Sequence, residues 1–141
     1  MNRRQYLRTL SPLVGAPIAG CLDVLGSNRD YRLAAVELAN FAKESVTYHL
    51  RIEHDRETIV DGTRELAPRY SPDGKDYWYV TDVGNHPVTE YTVFLQINDG
   101  ERREVRPDTV RGDGDVECVE LNIDAAPGYV GGIYYEVPCD W

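Results

Sequence analysis

Residues 89–100 read Thr-Glu-Tyr-Thr-Val-Phe-Leu-Gln-Ile-Asn-Asp-Gly, and this stretch decides the fold. From Thr89 to Ile97, the odd-numbered side chains form a largely apolar face and the even-numbered ones a mainly polar face. A period of two predicts a half-buried β-strand. Asn98-Asp99-Gly100 predicts a tight turn, because glycine adopts positive φ without strain. Residues 101–105 are therefore expected to pair back as a polar edge strand.

The same alternation recurs on both sides of this hairpin. It is clearest where Val46, Tyr48, Leu50 and Ile52 point one way and their polar neighbours point the other. We predict further strands at residues 31–38, 46–53, 58–60, 63–66, 77–80, 117–123 and 133–137. Residues 106–115 and 125–132 are rich in glycine and polar side chains, which predicts exposed connections.

About seven to nine short strands with regular turn signals predict an all-β domain at residues 31–141, an antiparallel β-sandwich. Helix is the alternative for Leu33–Lys43, because alanine and leucine are good helix formers. The run resembles immunoglobulin-like or fibronectin type III-like domains, with Tyr91 in the place of a tyrosine corner. The tryptophan and cysteine spacing of a true immunoglobulin domain is absent. The resemblance therefore concerns architecture and implies no function.

The start of the chain is typical of an export signal. Arg3 and Arg4 open a positive segment, an apolar stretch follows over Leu10–Gly20, and small residues lead to Cys21. The apolar stretch is about half the roughly 20 residues that span a bilayer, so it is a poor permanent anchor.

Two motifs in this segment resemble known signals. Asn-Arg-Arg-Gln-Tyr-Leu-Arg at residues 2–8 resembles a twin-arginine export signal, and Ile-Ala-Gly-Cys at residues 18–21 resembles a prokaryotic lipobox. The lipobox resemblance implies that Cys21 is lipid-modified and becomes the first residue after cleavage. The domains are then a signal peptide at 1–21, a short tether at 22–30 and the β domain. The resemblance places the protein on the outer face of the cytoplasmic membrane; the alternative is a frayed terminus with a chance cysteine.

Charge is concentrated after the leader. The 141 residues carry a net charge of −9, with 24 acidic and 15 basic residues. All the acidic residues follow Cys21 and three basic ones precede it, so the predicted mature chain carries −12. Such a surface repels nucleic acid and anionic lipid, so we expect no nucleic-acid partner and membrane attachment through the lipid alone. High acidity with two lysines resembles haloarchaeal proteins; an acidic mesophilic domain is the alternative.

The chain has three cysteines, an odd number, and the lipobox resemblance assigns one of them, Cys21, to the lipid. That assignment leaves Cys118 and Cys139 in an oxidising compartment, which implies a disulfide. A bridge closing this loop would contribute about 3 kcal/mol in the loop-entropy model. Two free thiols are the main alternative, and a metal pair has no CxxC or adjacent histidine to support it.

The sequence offers no constellation of catalytic or metal-binding residues. Cupredoxins place histidine and methionine after their cysteine, whereas His49, His54 and His86 all precede Cys118 and the one methionine is Met1. We therefore expect no metal, no cofactor and no catalytic site. The histidines are assigned to surface or structural positions.

Two loops contain residue types that a calcium site or a hydrolase site would use. Asp-Gly-Asp at 113–115, with Asp108 nearby, lacks the spaced acids and closing glutamate of a calcium loop. Ser71 lies in a Ser-Pro-Asp turn and not in a GxSxG motif.

Aromatic residues remain as candidates for contact with a ligand. Tyr77, Trp78 and Tyr79 are consecutive on a predicted strand, so neighbouring rings point to opposite faces and at least one faces away from the core. We interpret the protein as a lipid-anchored, non-enzymatic binding or accessory module with an envelope protein or glycan as partner. A small exported enzyme or metal carrier and a structural envelope component are the alternatives.

Mass spectrometry of the protein extracted from membranes tests the leader and the cysteine assignment together. We expect a chain that begins at a lipid-modified Cys21 and contains a Cys118–Cys139 disulfide. An intact leader with an unmodified Cys21 thiol contradicts the anchor.

Overall fold

Alternating side chains build nine strands within residues 30–114 and 116–140, the part of the chain that the computed structural model describes. The strands are β1 (Arg32–Asn40), β2 (Val46–His54), β3 (Glu57–Leu66), β4 (Tyr77–Val80), β5 (Tyr91–Ile97), β6 (Arg102–Val105), β7 (Val110–Arg111), β8 (Cys118–Ala126) and β9 (Tyr129–Val137). Two short 3-10 helices, Pro72–Gly74 and Val88–Glu90, lie in the connections. The strand prediction over Leu33–Lys43 is confirmed against the helical alternative.

The strands form a β-sandwich of two sheets, as predicted. One sheet has the order β4-β1-β8-β9-β7 and the other the order β3-β2-β5-β6. The four-stranded sheet is antiparallel throughout. The five-stranded sheet is mixed, because β1 runs parallel to β8 and β7 runs parallel to β9. The antiparallel prediction is therefore correct for one sheet and needs correction for the other.

The pairing of β1 to β6 is that of strands B, C, C′, E, F and G in an immunoglobulin-type sandwich. β1 pairs with β4, β2 pairs with β3 and β5, and β5 pairs with β6, all antiparallel. The position of strand A beside B is taken by β8, which comes from the C-terminal part of the chain and runs parallel to β1. This placement adds β8 and β9 to the sheet that carries the site described below.

The core lies between the sheets and follows the predicted alternation. Tyr48, Leu50 and Ile52 on β2 are fully buried, and Val93 and Leu95 lie beside them on the neighbouring strand β5. Burying each side chain of this size stabilises the fold by about 1.5–3 kcal/mol. From the opposite sheet the core receives Leu33, Val36, Leu38, Trp78, Val119, Leu121 and Ile123.

Three predicted boundaries are wrong. The strands predicted at 58–60 and 63–66 are one continuous strand, because β2 pairs with the whole of β3. The predicted connection at 106–115 contains β7, and the predicted loop at 125–132 is mostly strand. Pro127-Gly128 alone joins β8 to β9, with Gly128 at φ 86°. Pairing with a long neighbour outweighs the local preference of glycine for turns.

The tyrosine corner predicted at Tyr91 is present. Its hydroxyl donates to the carbonyl oxygen of Val83 at 2.6 Å and accepts from the backbone nitrogen of His86 at 3.0 Å. These bonds fasten the loop before β5 to the start of that strand.

The predicted disulfide is also present. Cys118 and Cys139 are joined, with their Cα atoms 5.1 Å apart. The bond attaches the end of the chain to the start of β8.

Asn40 closes one end of the sandwich. It is fully buried at the end of β1. Its amide nitrogen donates to the carbonyl oxygens of Glu44, Leu66 and Ala67 at 3.0, 3.3 and 2.9 Å, and its Oδ1 accepts from the nitrogen of Ala42 at 3.0 Å. One side chain thus satisfies the backbone of two loops.

Some predictions lie outside the described residues. Arg3, Arg4, Cys21, the tether except Asp30, and Asp115 of the calcium candidate are among them. Within the described ranges, no helix is long and apolar enough to cross a bilayer.

We predict that Asn40→Asp lowers the free energy of unfolding by about 2–3 kcal/mol, because three carbonyl oxygens around this fully buried side chain lose their donor to an acceptor of the same shape. Denaturant unfolding at constant high salt measures this. Asn98→Asp is the control, since Oδ1 of Asn98 only accepts a bond, from the nitrogen of Thr47. Equal losses in the two variants would contradict the role of Asn40.

Candidate functional site

The outer face of the five-stranded sheet collects tyrosine, carboxylate and amide side chains from four strands. The register places Tyr79 and Asn122 on either side of Glu37, and places Asp124 between Ala39 and Gly131. We call this surface the tyrosine-rimmed face. It comprises Tyr77 and Tyr79 on β4, Glu37 on β1, Glu120, Asn122 and Asp124 on β8, and Tyr129, Gly131 and Tyr135 on β9.

Tyrosine rings line both sides of this face. Tyr77 is 46% exposed on β4, while Tyr129 and Tyr135 are 54% and 37% exposed on β9. Three strand spacings separate β4 from β9 in the sheet, which is roughly 14 Å. The polar residues of β1 and β8 lie between the two rows of rings.

The three predicted contact residues divide between the two sides of the sheet. Tyr77 and Tyr79 lie on the tyrosine-rimmed face. Trp78 is 6% exposed and packs in the core, with the guanidinium of Arg64 4.7 Å from its ring centre. Trp78 is therefore removed from the predicted binding surface, because its side chain alternates with those of its neighbours and points inward.

Glu120 is the buried centre of the face. Its side chain is 6% exposed. The hydroxyl of Tyr79 donates to Oε2 at 2.8 Å, and the amide of Asn122 donates to Oε1 at 2.8 Å. Two donors thus hold the carboxylate in one orientation and supply the hydrogen bonds that a buried charge requires.

The neighbouring acids hold protons more tightly than usual. Burial raises the pKa of Glu37, and the charge of Glu120 and a side-chain hydrogen bond with it raise this pKa further. Burial alone raises the pKa of Asp124. The face therefore combines an oriented carboxylate with carboxyl groups that can donate or accept hydrogen bonds.

A cleft opens on the β9 side of the face. It has a volume of about 210 Å³ and is lined in part by Asn122, Asp124, Tyr129 and Tyr135. Gly131 forms its floor, where an added Cβ would lie 2.5 Å from the hydroxyl of Tyr129. The absence of a side chain at Gly131 lets the tyrosine ring lie over the sheet.

The histidines and the acidic loop residues of the sequence analysis lie outside the tyrosine-rimmed face. His49 is hydrogen-bonded to Asp61 on the four-stranded sheet. Asp108 and Asp113 belong to no grouping of potential metal ligands within the described residues. The structure does bring together His54, His86 and Glu90, although the sequence predicted surface or structural positions for the two histidines and the polar face of a strand for Glu90.

Two of the residues that matter most at the face, Glu120 and Asn122, were also missed. Their sequence signal was only the polar side of a predicted strand. Nothing in the spacing indicated that β8 lies beside β1.

No model of a known protein family matches this chain, and no curated protein shows significant similarity to it. The functional argument therefore depends on the fold and the geometry of the face.

We predict that Glu37→Gln flattens the fall in stability as pH rises. Because the pKa of Glu37 is raised in the folded state, its protonated form stabilises the fold below the ordinary glutamate pKa of about 4.3, and this contribution is lost as pH rises through the raised value. Glutamine keeps the neutral form at every pH.

The measurement is the denaturant midpoint between about pH 4 and pH 7 at constant salt. Glu65→Gln, on the exposed strand β3, is the matched control and should follow the wild-type profile. A Glu37→Gln profile parallel to that of the wild type would show that Glu37 does not titrate as described.

Proposed function

We propose that the chain is an exported, lipid-anchored β-sandwich that binds a neutral glycan at the cell surface, without catalysis, through the tyrosine-rimmed face. The observation that carries this proposal is the arrangement of exposed tyrosine rings on both sides of an oriented carboxylate and amide strip. The anchor rests on the lipobox resemblance at residues 18–21, and the ligand class rests on the face.

The chemistry of the face suits a polyhydroxylated ligand. The flat faces of tyrosine rings pack against apolar C–H surfaces, and the ring hydroxyls remain available as hydrogen-bond partners. Asn122 and Asp124 supply donors and acceptors at fixed places, and the buried Glu120 holds Asn122 and Tyr79 in position, as in specific small-ligand sites. A face roughly 14 Å wide between its tyrosine rows is wider than one sugar ring, which favours an oligosaccharide.

The negative charge of the protein favours a neutral ligand over an anionic one. The predicted mature chain carries −12, and Glu37, Glu120 and Asp124 lie within the face itself. Anionic polymers, nucleic acid included, are repelled by such a surface. A neutral glycan carries no charge and is not repelled.

Part of the tyrosine-rimmed face lies near the end of β1 that is far from Asp30. The described chain begins at Asp30, and β1 runs its nine residues, roughly 30 Å, from Arg32 to Asn40. Tyr77 and Asp124 pair with Ala39, close to the far end of that strand. A domain tethered through residues 22–30 would therefore present this part of the face to the outside.

We expect the full-length protein to bind members of a panel of neutral gluco-, manno- and galacto-oligosaccharides in titration calorimetry at high salt. High salt is chosen because the acidic composition resembles that of halophilic proteins. Tyr135→Ala should weaken binding about five- to tenfold, the value of one aromatic stacking contact.

Phe94→Ala is the matched control. Phe94 is an aromatic residue on the four-stranded sheet, where it packs under the guanidinium of Arg102, so its loss should leave affinity unchanged. Absence of binding to every oligosaccharide by a folded sample, or equal weakening by both variants, would refute the glycan proposal. Capture of a protein partner alone would refute it as well.

A further inference from the structure

A second cluster of polar side chains lies at the start of β5, away from the tyrosine-rimmed face. His54 ends β2, His86 lies in the loop before Pro87, and Glu90 ends the 3-10 helix that leads into β5. One side-chain nitrogen or oxygen from each of the three lies within 4.8 Å of the others. His54 and His86 are separated in the sequence by β3 and β4, and β4 belongs to the other sheet. Only the folded structure therefore brings the two side chains together.

The ring contacts within this cluster are close. The imidazole rings of His54 and His86 are stacked, with centroids 3.9 Å apart and planes inclined by 8°. Nε2 of His54 lies 2.8 Å from Oε1 of Glu90 and 3.6 Å from Oδ2 of Asp55. The ring nitrogens of His86 make no hydrogen bond to any residue in the described ranges 30–114 and 116–140.

The backbone of the cluster is fixed on each side. The nitrogen of His86 donates to the hydroxyl of Tyr91 at 3.0 Å, and its carbonyl oxygen accepts from the nitrogen of Leu33 at 2.9 Å. The carbonyl oxygen of Glu90 accepts from the nitrogen of Asp55 at 3.0 Å. The side chains are therefore carried by a rigid frame and retain only their own torsional freedom.

We propose that His54, His86 and Glu90 form a binding site for a divalent transition-metal ion of the zinc class. Two imidazole nitrogens and one carboxylate oxygen are a ligand set that zinc uses, with a fourth position left for water. Oδ2 of Asp55, 3.6 Å from Nε2 of His54, adds a further negative charge beside the three proposed ligands. Imidazole-rich sites take zinc, copper and nickel in preference to calcium or magnesium.

Binding requires a small rearrangement. Zinc lies about 2.0–2.2 Å from its ligand atoms, so tetrahedral ligands lie about 3.4 Å apart. The ligand atoms of the cluster lie within 4.8 Å of one another, and Nε2 of His54 is only 2.8 Å from Oε1 of Glu90, so they must shift to reach this spacing. Imidazole lone pairs lie in the ring plane, so two parallel stacked rings cannot both point at one ion. At least one ring rotates out of the stack when the metal binds, while the backbone stays in place.

Titration of the full chain with zinc tests the site. Every sample carries Cys21→Ser, so that this thiol is no competing ligand. We expect one zinc ion per chain by calorimetry, with changes in the ring proton signals of His54 and His86 in NMR spectra as the stack opens. His86→Gln should weaken binding by more than the roughly 10- to 100-fold that loss of a supporting outer group costs.

His49→Gln is the matched control. His49 lies on the same strand as His54 and is bonded to Asp61, so this variant should keep the affinity of the parent chain. Thermal unfolding without metal verifies that each variant is folded. A rise in melting temperature with zinc, abolished by a chelator and by His54→Gln or His86→Gln, supports the site. Absence of zinc binding by the folded parent chain, or equal weakening by His49→Gln and His86→Gln, overturns it.

Discussion

The hydroxyl of Tyr48 lies between the two sheets, 2.8 Å from the carbonyl oxygen of Ala125 and 2.8 Å from Oδ1 of Asn40. Tyr48 belongs to β2 in one sheet, whereas its two partners belong to β8 and β1 in the other. Burial raises the pKa of this hydroxyl to about 12, so it stays a donor at any physiological pH. A buried polar group must keep its partners, which makes other alignments of β1 and β8 costly.

That alignment decides what the tyrosine-rimmed face contains. A shift of β8 by one residue would turn Glu120 and Asn122 into the core and bring Leu121 to the surface. The face joins Glu37, Tyr79 and Glu120, which lie far apart in the sequence, only because β8 takes the place of strand A beside β1. The Cys118–Cys139 bond then secures β8 at its first residue, at the end opposite Tyr48. β8 is thus fixed at both ends, and its outward side chains are fixed with it.

The local features of this structure could be predicted from the sequence. Alternation over residues 46–52 identified which side chains of β2 are buried, and Tyr91 was placed correctly because its strand and the preceding loop are consecutive in the chain. Alternation indicates which face a side chain takes but not which strand lies beside it. The parallel pair of β1 and β8 could not be derived for that reason, and neither could the meeting of His54 with His86. Trp78 shows the same limit, since adjacent aromatic residues revealed that the rings divide between two faces but not which ring is buried.

The large number of acidic residues does not determine how each carboxyl group of this protein behaves. The pKa values of individual carboxyl groups shift in opposite directions. A hydrogen bond from His49 lowers the pKa of Asp61, whereas burial raises the pKa of Glu37. In concentrated salt the screening length falls to about 3 Å at 1 M, so exposed acids hardly sense one another. Glu37 is half-buried, so salt screens the effect of the charge of Glu120 on it much less. Salt that screens the exposed acidic residues therefore leaves the local contacts of the tyrosine-rimmed face in place.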